Sequence, residues 1–245
     1  MNLEKPPGTP ELSVVVLCYQ EQERIPERLE SIESEIRSLG IPYEIVLVAN
    51  YFPDPPDRSP QIALDLSRKN PRIKPVVRPK EGMMGWDMRT GLEAARGELL
   101  AVLDGDGQIP PSDIARVYRE LTARNLDLCQ TFRAKREDGR VRMLISRIYN
   151  GLFRLLFPGT PVHDVNAKPK IMTRRAYESM RLNSTDWFID AEILIQARWN
   201  RLKVGEIPSV FGRSHGRASY IKGITLLEFI KNLALFRIRE FSGRR

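Results

Sequence analysis

An α/β fold is predicted, with a mostly parallel central sheet covered by helices on both faces. Three observations predict it. Short β-branched apolar runs alternate with amphipathic segments through the first half of the chain. The connections between them are short, which favours right-handed β-α-β crossovers and parallel strands. The chain is 245 residues long, enough to bury the core of one large domain.

The elements follow in order. "LSVVVLCY" (12–19) and "EIVLVAN" (44–50) read as strands buried on both faces. Between them, Ile25, Leu29, Ile32, Ile36 and Leu39 recur at helical spacing, and Gly40 is the stop signal. Ser59-Pro60 opens the helix "QIALDLSRKN", and "IKPVV" (73–77) is a short strand. "DMRTGLEAARG" reads as a helix ending at Gly97, and "ELLAVLD" (98–104) as the next buried strand. Ser112 is the expected cap of "DIARVYRELTAR", and "LDLCQTF" (126–132) is a further strand. The second half is less regular. It holds an apolar helix at 141–157 with Arg140, Arg147 and Arg154 along one side, a helix at 187–201, and the strand-like "KVGEIPSVF". The polar loop "GRSHGRAS" (212–219) and a helix near 220–241, apolar almost all round, complete the chain. That last helix must be buried, covered by a partner or laid on a membrane.

Charge narrows the function classes. Against 31 Asp and Glu stand 39 Lys and Arg, for a net charge of +8, so an anionic partner is expected: phosphates, nucleic acid or an acidic lipid surface. A nucleic-acid binder would explain the charge but would leave the acidic motif below unused, and no aromatic-basic recognition motif is present. Cys18 and Cys129 both lie in apolar runs without metal-ligand spacing and read as reduced thiols of a cytosolic protein. The N-terminal segment lacks the apolar core of a signal peptide, and no uncharged stretch approaches the roughly 20 residues that a spanning helix needs.

The most informative stretch is "LLAVLDGDGQIPP" (99–111). In open α/β sheets ligands gather at the carboxyl ends of strands. Asp104 closes such a strand and Asp106 follows in a turn, with Gly105 and Gly107 free to bend tightly. Two convergent carboxylates suit Mg²⁺ or Mn²⁺, which takes its remaining ligands from water and substrate phosphates, and Gln108 can add a neutral oxygen. A solvated Asp-Gly turn is the plainer alternative. Several other groups also have plain readings. Asp190 can simply cap its helix, His163 and Asp164 can be a polar helix-terminal pair, and Trp187 and Phe188 can be packing. Arg147, on so apolar a helix, is expected to face a phosphate or a buried acid. Lys168 and Lys170 can reach a phosphate as point charges.

In order along the chain, these stretches resemble a known family. "VVVLCYQE" (14–21), "DGDGQIPP" (104–111), "FIDAEIL" (188–194) and "RSHGRAS" (213–219) are similar to motifs of family 2 GT-A glycosyltransferases, nearest the dolichyl-phosphate mannosyltransferase group. The resemblance implies a Rossmann-like GT-A domain over 1–220, followed at 221–245 by an apolar helix and basic tail for membrane or partner contact. It implies a metal site of Asp104, Asp106 and Gln108 and a nucleotide site including Tyr19, Glu21 and Asp104. Asn50 belongs to that site by position, where the group usually carries an aspartate that helps seat the nucleoside. Arg133, Arg147 and Arg213 match phosphate-holding arginines, and Asp190 and Glu192 match an acidic motif near the acceptor that, with Asp106, supplies the candidate catalytic residues.

The implied activity is inverting, metal-dependent sugar transfer from a nucleotide-diphosphate donor to a polyprenyl phosphate, dolichyl or undecaprenyl. GDP-mannose is the leading donor, and UDP-glucose or another UDP-sugar is second. The expected location is the cytoplasmic face of a membrane, bound peripherally or through a small integral partner on 220–241. Departures from the group are Leu17 in place of a proline, Ala49-Asn50 in place of an acidic pair, and "HDVNAKPKIM" (163–172) in place of a glycine-aromatic-basic signature. Two rival readings remain. A haloacid-dehalogenase-like phosphatase also uses a D-x-D-G motif, but near its chain start and followed by threonine. A non-catalytic nucleotide-binding subunit would retain the fold without the chemistry.

Overall fold

Strands β1 (Leu12–Leu17), β2 (Tyr43–Val48), β3 (Ile73–Val76), β4 (Leu99–Asp104), β5 (Leu128–Lys135), β6 (Lys170–Thr173) and β7 (Val204–Val210) form a seven-stranded sheet of order β3-β2-β1-β4-β6-β5-β7. The computed structural model describes residues 8–54, 56–135, 140–212 and 223–242. The motif 213–219, with Arg213 and His215, lies outside the described residues. Eight helices belong to the described chain: α1 (Ile25–Arg37), α2 (Ser59–Lys69), α3 (Met84–Ala94), α4 (Ser112–Ala123), α5 (Arg140–Leu156), α6 (Arg174–Glu178), α7 (Ile189–Trp199) and α8 (Gly223–Phe241).

The alternation of apolar runs builds the sheet as expected. All six residues of β1 are buried, and it pairs in parallel with both β2 and β4. Val15 and Leu17 enter one core with residues of α3, α5, α7 and α8, while Val14 and Val16 enter the other with residues of α1 and α4. Burial on both faces is what makes the parallel strands continuous hydrophobic runs. Each such side chain contributes about 1.5–3 kcal/mol by leaving water.

The departures lie mainly in the second half. Strand β6, absent from the sequence reading, inserts antiparallel between β4 and β5, whereas β5 and β7 run parallel. Ser112 does not cap α4. Pro111 occupies that position, and Ser112 is the first helical residue, because the two prolines already set the entry turn. Helix α3 starts earlier than expected, since Met83 N–H and Gly85 N–H donate to the carbonyls of Thr185 and Asp186 at 2.7 and 3.0 Å.

Helix α8 is two-sided. Phe229, Leu233 and Phe236 join the core, while Ile230, Leu235, Ile238 and Phe241 are exposed. Helix α5 behaves likewise, burying Tyr149 and Phe153 and exposing Leu144, Ile148 and Leu155.

Candidate active site

Because β1, β2, β3 and β4 are parallel, their carboxyl ends share one edge of the sheet. At that edge Gly105 N–H donates to Leu17 O at 2.8 Å, which carries the β1–β4 pairing one residue past Asp104. A Cβ on Gly105 would lie 2.6 Å from Cys18 Sγ and 2.8 Å from Leu17 O, so no other residue fits there without movement. Gly107 has φ +76°, the left-handed conformation that lets the chain turn back, and Gln108 N–H then donates to Asp106 Oδ1 at 3.0 Å. Both carboxylates are thereby held on one loop.

Arg28 of α1 fastens that loop. Its Nη1 donates to Gly105 O at 2.6 Å and also pairs with the buried Glu21 carboxylate. Glu21, a candidate nucleotide ligand, therefore has a second task in the structure, positioning Arg28. A cleft of about 360 Å³ opens beside the loop, lined in part by Arg24, Arg28, Asp104, Gly107 and Ile109. Burial, reinforced by the charge of Asp104, pushes the Asp106 carboxyl up to about 6. A carboxyl whose ionisation is opposed by burial and by a neighbouring negative charge is what a divalent cation relieves. Among the described residues no group of three or more His, Cys, Asp or Glu side chains is arranged to hold a metal ion. The pair with Gln108 nonetheless fits Mg²⁺ or Mn²⁺ of the kind that is completed by substrate phosphates rather than caged by protein.

The antiparallel insertion of β6 brings a cation to the same place. Lys170, the first residue of β6, is opposite Val102, and Lys168 lies two residues before it, next to the end of β4. Lys168 Nζ lies 3.6 Å from Asp104 Oδ2 and 2.9 Å from Asp190 Oδ2. Lys170 Nζ, 3.0 Å from Asp190 Oδ1, donates to the carbonyls of Val165 and Ala167. Lys168, Lys170 and Asp190 are all buried. Burial opposes the charge of Asp190, but the two lysines outweigh it and hold the carboxyl below its ordinary range. Burial also opposes the charge of Lys168, yet Asp104 and Asp190 together keep that ammonium above its ordinary range. For Lys170 burial wins, and its affinity for a proton is lowered. Asp190 thus anchors two lysines and does not cap α7, whose cap position is Phe188.

The remaining candidates are placed as follows. Glu192, two residues from Asp190 and so on another side of α7, accepts from the backbone N–H groups of Asn183 and Ser184 at 3.0 and 2.8 Å. It ties down the loop before α7. Asn50 is fully buried, donating to Asp87 Oδ1 and Thr90 Oγ1 at 3.0 and 2.8 Å and accepting from Arg78 N–H at 2.9 Å. The geometry gives its side chain a structural task, and the residue it orients, Asp87, pairs with buried Lys80. Burial outweighs the attraction within that pair, lowering Lys80 and raising Asp87. Lys80 Nζ sits 4.4 Å from the ring centroid of Tyr19, and the Tyr19 and Phe52 rings stand perpendicular with centroids 5.9 Å apart. Tyr19 therefore sits at the sheet edge with a cation against its face.

Arg133, at the end of β5, is forked by Asp164 through Nε and through Nη2, the latter at 2.7 Å. Asp164 and His163 are not a helix-terminal pair. His163 Nδ1 is 3.0 Å from Glu206 Oε2, and both residues lie in the loop before β6. Arg147 is exposed on α5 and has no ion pair among the described residues, so of its two expected partners, a phosphate or a buried acid, the acid is not found there; its side of the helix faces outward with Leu144 and Ile148. Trp187 and Phe188 pack as expected, Phe188 completely buried and Trp187 against the core. Cys18 and Cys129 are buried free thiols.

Sequence reasoning missed Arg28, Asp87 and Lys80 and misjudged the partners of Lys168 and Lys170. The one available signal was the presence of two lysines, Lys168 and Lys170, in an otherwise apolar stretch.

A sheet of this topology, with an aspartate pair at the end of β4 on either side of Gly105, is the architecture of a GT-A domain. Comparison with known proteins agrees. The model of glycosyl transferase family 2 matches residues 13–181. The chain belongs to glycosyl transferase family 2. It is 29% identical to a dolichol-phosphate mannosyltransferase of Pyrococcus furiosus over 95% of this chain and 64% of that protein. It is 31% identical to an undecaprenyl-phosphate 4-deoxy-4-formamido-L-arabinose transferase of Pseudomonas paraeruginosa over 69% of this chain and 49% of that protein. The chain thus spans about half to two thirds of the length of these curated relatives. Glucosyl-3-phosphoglycerate synthase of Mycobacterium tuberculosis, solved with Mn²⁺, UDP and phosphoglyceric acid, shares the fold with a TM-score of 0.70 at 18% identity, over 93% of this chain and 78% of that one. No described helix is long and apolar enough to cross a membrane.

Proposed function

We propose that the chain transfers a sugar from a nucleoside-diphosphate donor to a polyprenyl phosphate, with inversion at the anomeric carbon, at a membrane surface. The observation that carries this reading is the Asp104–Asp106 pair, held by Arg28 and Leu17 at the carboxyl edge of the sheet. Asp104, Asp106 and Gln108 would hold Mg²⁺ or Mn²⁺, which when bound neutralises the departing diphosphate. Tyr19, beside Phe52 and Lys80, would flank the nucleoside, and Glu21 would act through Arg28 to keep the loop in place. GDP-mannose is the favoured donor, on the relationship to the Pyrococcus protein, and a UDP-sugar is the second choice.

A phosphate acceptor suits what the acidic residues do here. A phosphomonoester has a second pKa of about 6 and is mostly a dianion near neutrality, so its oxygen attacks without a strong general base. Asp190 and Glu192, both committed to structural partners, are then not required to take a proton. A sugar hydroxyl would need such a base. Arg213 remains the proposed acceptor-phosphate ligand. The exposed apolar residues of α5 and α8, with Arg147, Arg154, Lys231 and Arg239 exposed among them, support contact with an anionic bilayer, where the lipid acceptor resides.

The test compares wild type with Asp106→Asn using labelled GDP-mannose and UDP-glucose. Transfer in the wild type that excess chelator abolishes and the variant lacks supports the reading. Equal transfer by wild type and variant in chelator removes it.

A further inference from the structure

We infer that Lys168 is a built-in counter-ion of Asp104 that holds the metal affinity of the Asp104–Asp106 pair low until a donor diphosphate arrives. The inference rests on the metal reading above and assigns to one side chain the control of that site. It starts from a charge count. Lys168 and Lys170 both point at Asp190, 2.9 and 3.0 Å away, so two cations share one carboxylate. The surplus positive charge has one further acidic neighbour in contact, Asp104, whose Oδ2 is 3.6 Å from Lys168 Nζ.

The ammonium cannot easily withdraw. Lys168 is 2% exposed, its other polar contact is Met84 Sδ at 3.4 Å, and Asp190 itself is completely buried. A cation held by Asp104 and Asp106 would therefore meet the fixed positive charge that stands against Asp104. Among the described residues Asp106 has no lysine paired with it, so Asp104 is the weakened member, and the site would present less attraction than two free carboxylates. The donor diphosphate brings its own negative charge and shifts the balance, so that metal and donor load together. Lys168 is thus a positioning residue. At 2% exposure it does not reach out to touch the substrate; it acts through Asp104.

The test measures Mn²⁺ binding to the full chain by the electron paramagnetic resonance of free Mn²⁺, with and without UDP or GDP. Wild type, Lys168→Gln and Lys168→Arg are compared after circular dichroism shows that each is folded. Gln keeps a hydrogen bond to Asp190 without the charge. Without nucleotide, Lys168→Gln should bind Mn²⁺ about tenfold or more tighter than wild type, and Lys168→Arg should resemble wild type. Unchanged affinity in Lys168→Gln, with both proteins binding Mn²⁺ when nucleotide is added, overturns the role of Lys168 and leaves the metal site standing. Absence of Mn²⁺ binding in every condition removes the metal reading and this inference with it. Should Lys168→Gln fail to fold, Lys168→Met, of similar length and uncharged, is read in its place with the same expected and contrary results, and Mn²⁺ bound by wild type as tightly without nucleotide as with it also overturns the inference.

Discussion

Arg28 Nη1 lies 2.6 Å from the carbonyl oxygen of Gly105, joining the helix after β1 to the loop that carries both site aspartates. The same guanidinium is held by buried Glu21, so the end of β1 grips the end of β4 through a charged link. Arg28→Gln should loosen the loop without removing a metal ligand. The expected loss is on the order of 10- to 100-fold in metal affinity, as for other outer partners of metal ligands. The fold should lose about 1–3 kcal/mol, because Glu21 is left buried without its partner. Mn²⁺ titration and urea unfolding of the same preparation check both. Full metal affinity with an unaltered unfolding midpoint would show that the link does not position the loop.

Asp106→Asn should abolish transfer and stabilise the fold. The carboxyl is raised from 3.8 to about 6 by burial and by Asp104, so ionising it opposes folding. The sign follows from proton binding: below 3.8 native and unfolded states are both protonated and there is no penalty, the penalty grows between the two values, and above about 6 it is complete. The variant should gain on the order of 3 kcal/mol over wild type at pH 7, falling towards nothing below pH 4. Metal-free unfolding across that range is the measurement. Equal stability at pH 7 would mean that the carboxylate is compensated in a way the geometry does not show.

Asp190 and Glu192 should separate. Asp190→Asn leaves two buried lysines without their shared acid and should cost about 3–5 kcal/mol. Glu192→Gln keeps one carbonyl oxygen for the Asn183–Ser184 backbone and should cost about 1–3 kcal/mol. The carboxyl of Asp190 is lowered in the native state, so its contribution is present at neutral pH and is lost as pH falls through the acid range. Unfolding at pH 7 and at pH 3 checks the order and the sign. If either variant keeps wild-type stability and donor binding yet loses transfer, a hydroxyl acceptor with a carboxylate base is the better account.

How much of this was legible in the sequence depends on the range of the interactions. β1, β2 and β4 are uninterrupted apolar runs, and their identity follows from local pattern alone. Asp104 and Asp106 were legible because the glycines around them advertise a turn at a strand end. Strand β6 was not, since it is four residues long and begins with a lysine that only a buried acid makes tolerable. That acid, Asp190, sits on a helix 20 positions later, and its meeting with Lys170 and Lys168 depends on the antiparallel register. For Arg147 the buried-acid alternative fails for the opposite reason: an apolar helix implies a buried partner for its arginine only if the apolar side is wholly covered, and on α5 Leu144 and Ile148 are not.

Those uncovered residues give a further expectation. On α5 and α8, Leu155, Ile238 and Phe241 are exposed beside exposed Arg154 and Arg239. The chain should float with vesicles containing anionic lipid and dissociate as salt rises, each basic residue near the surface contributing about 1 kcal/mol. Replacing Ile238 and Phe241 by Ser should weaken flotation without lowering the melting temperature by more than a few degrees. Flotation that is unchanged in that double variant would place the contact elsewhere.

The account turns on the acceptor. The most direct measurement incubates the chain and Mg²⁺ or Mn²⁺ with labelled GDP-mannose or UDP-glucose and vesicles carrying either dolichyl or undecaprenyl phosphate or the corresponding free alcohol, followed by organic extraction. The account predicts label in the organic phase with the lipid phosphate, none with the alcohol, and none with excess chelator. Label transferred equally to the alcohol, or only to a water-soluble acceptor, would contradict it.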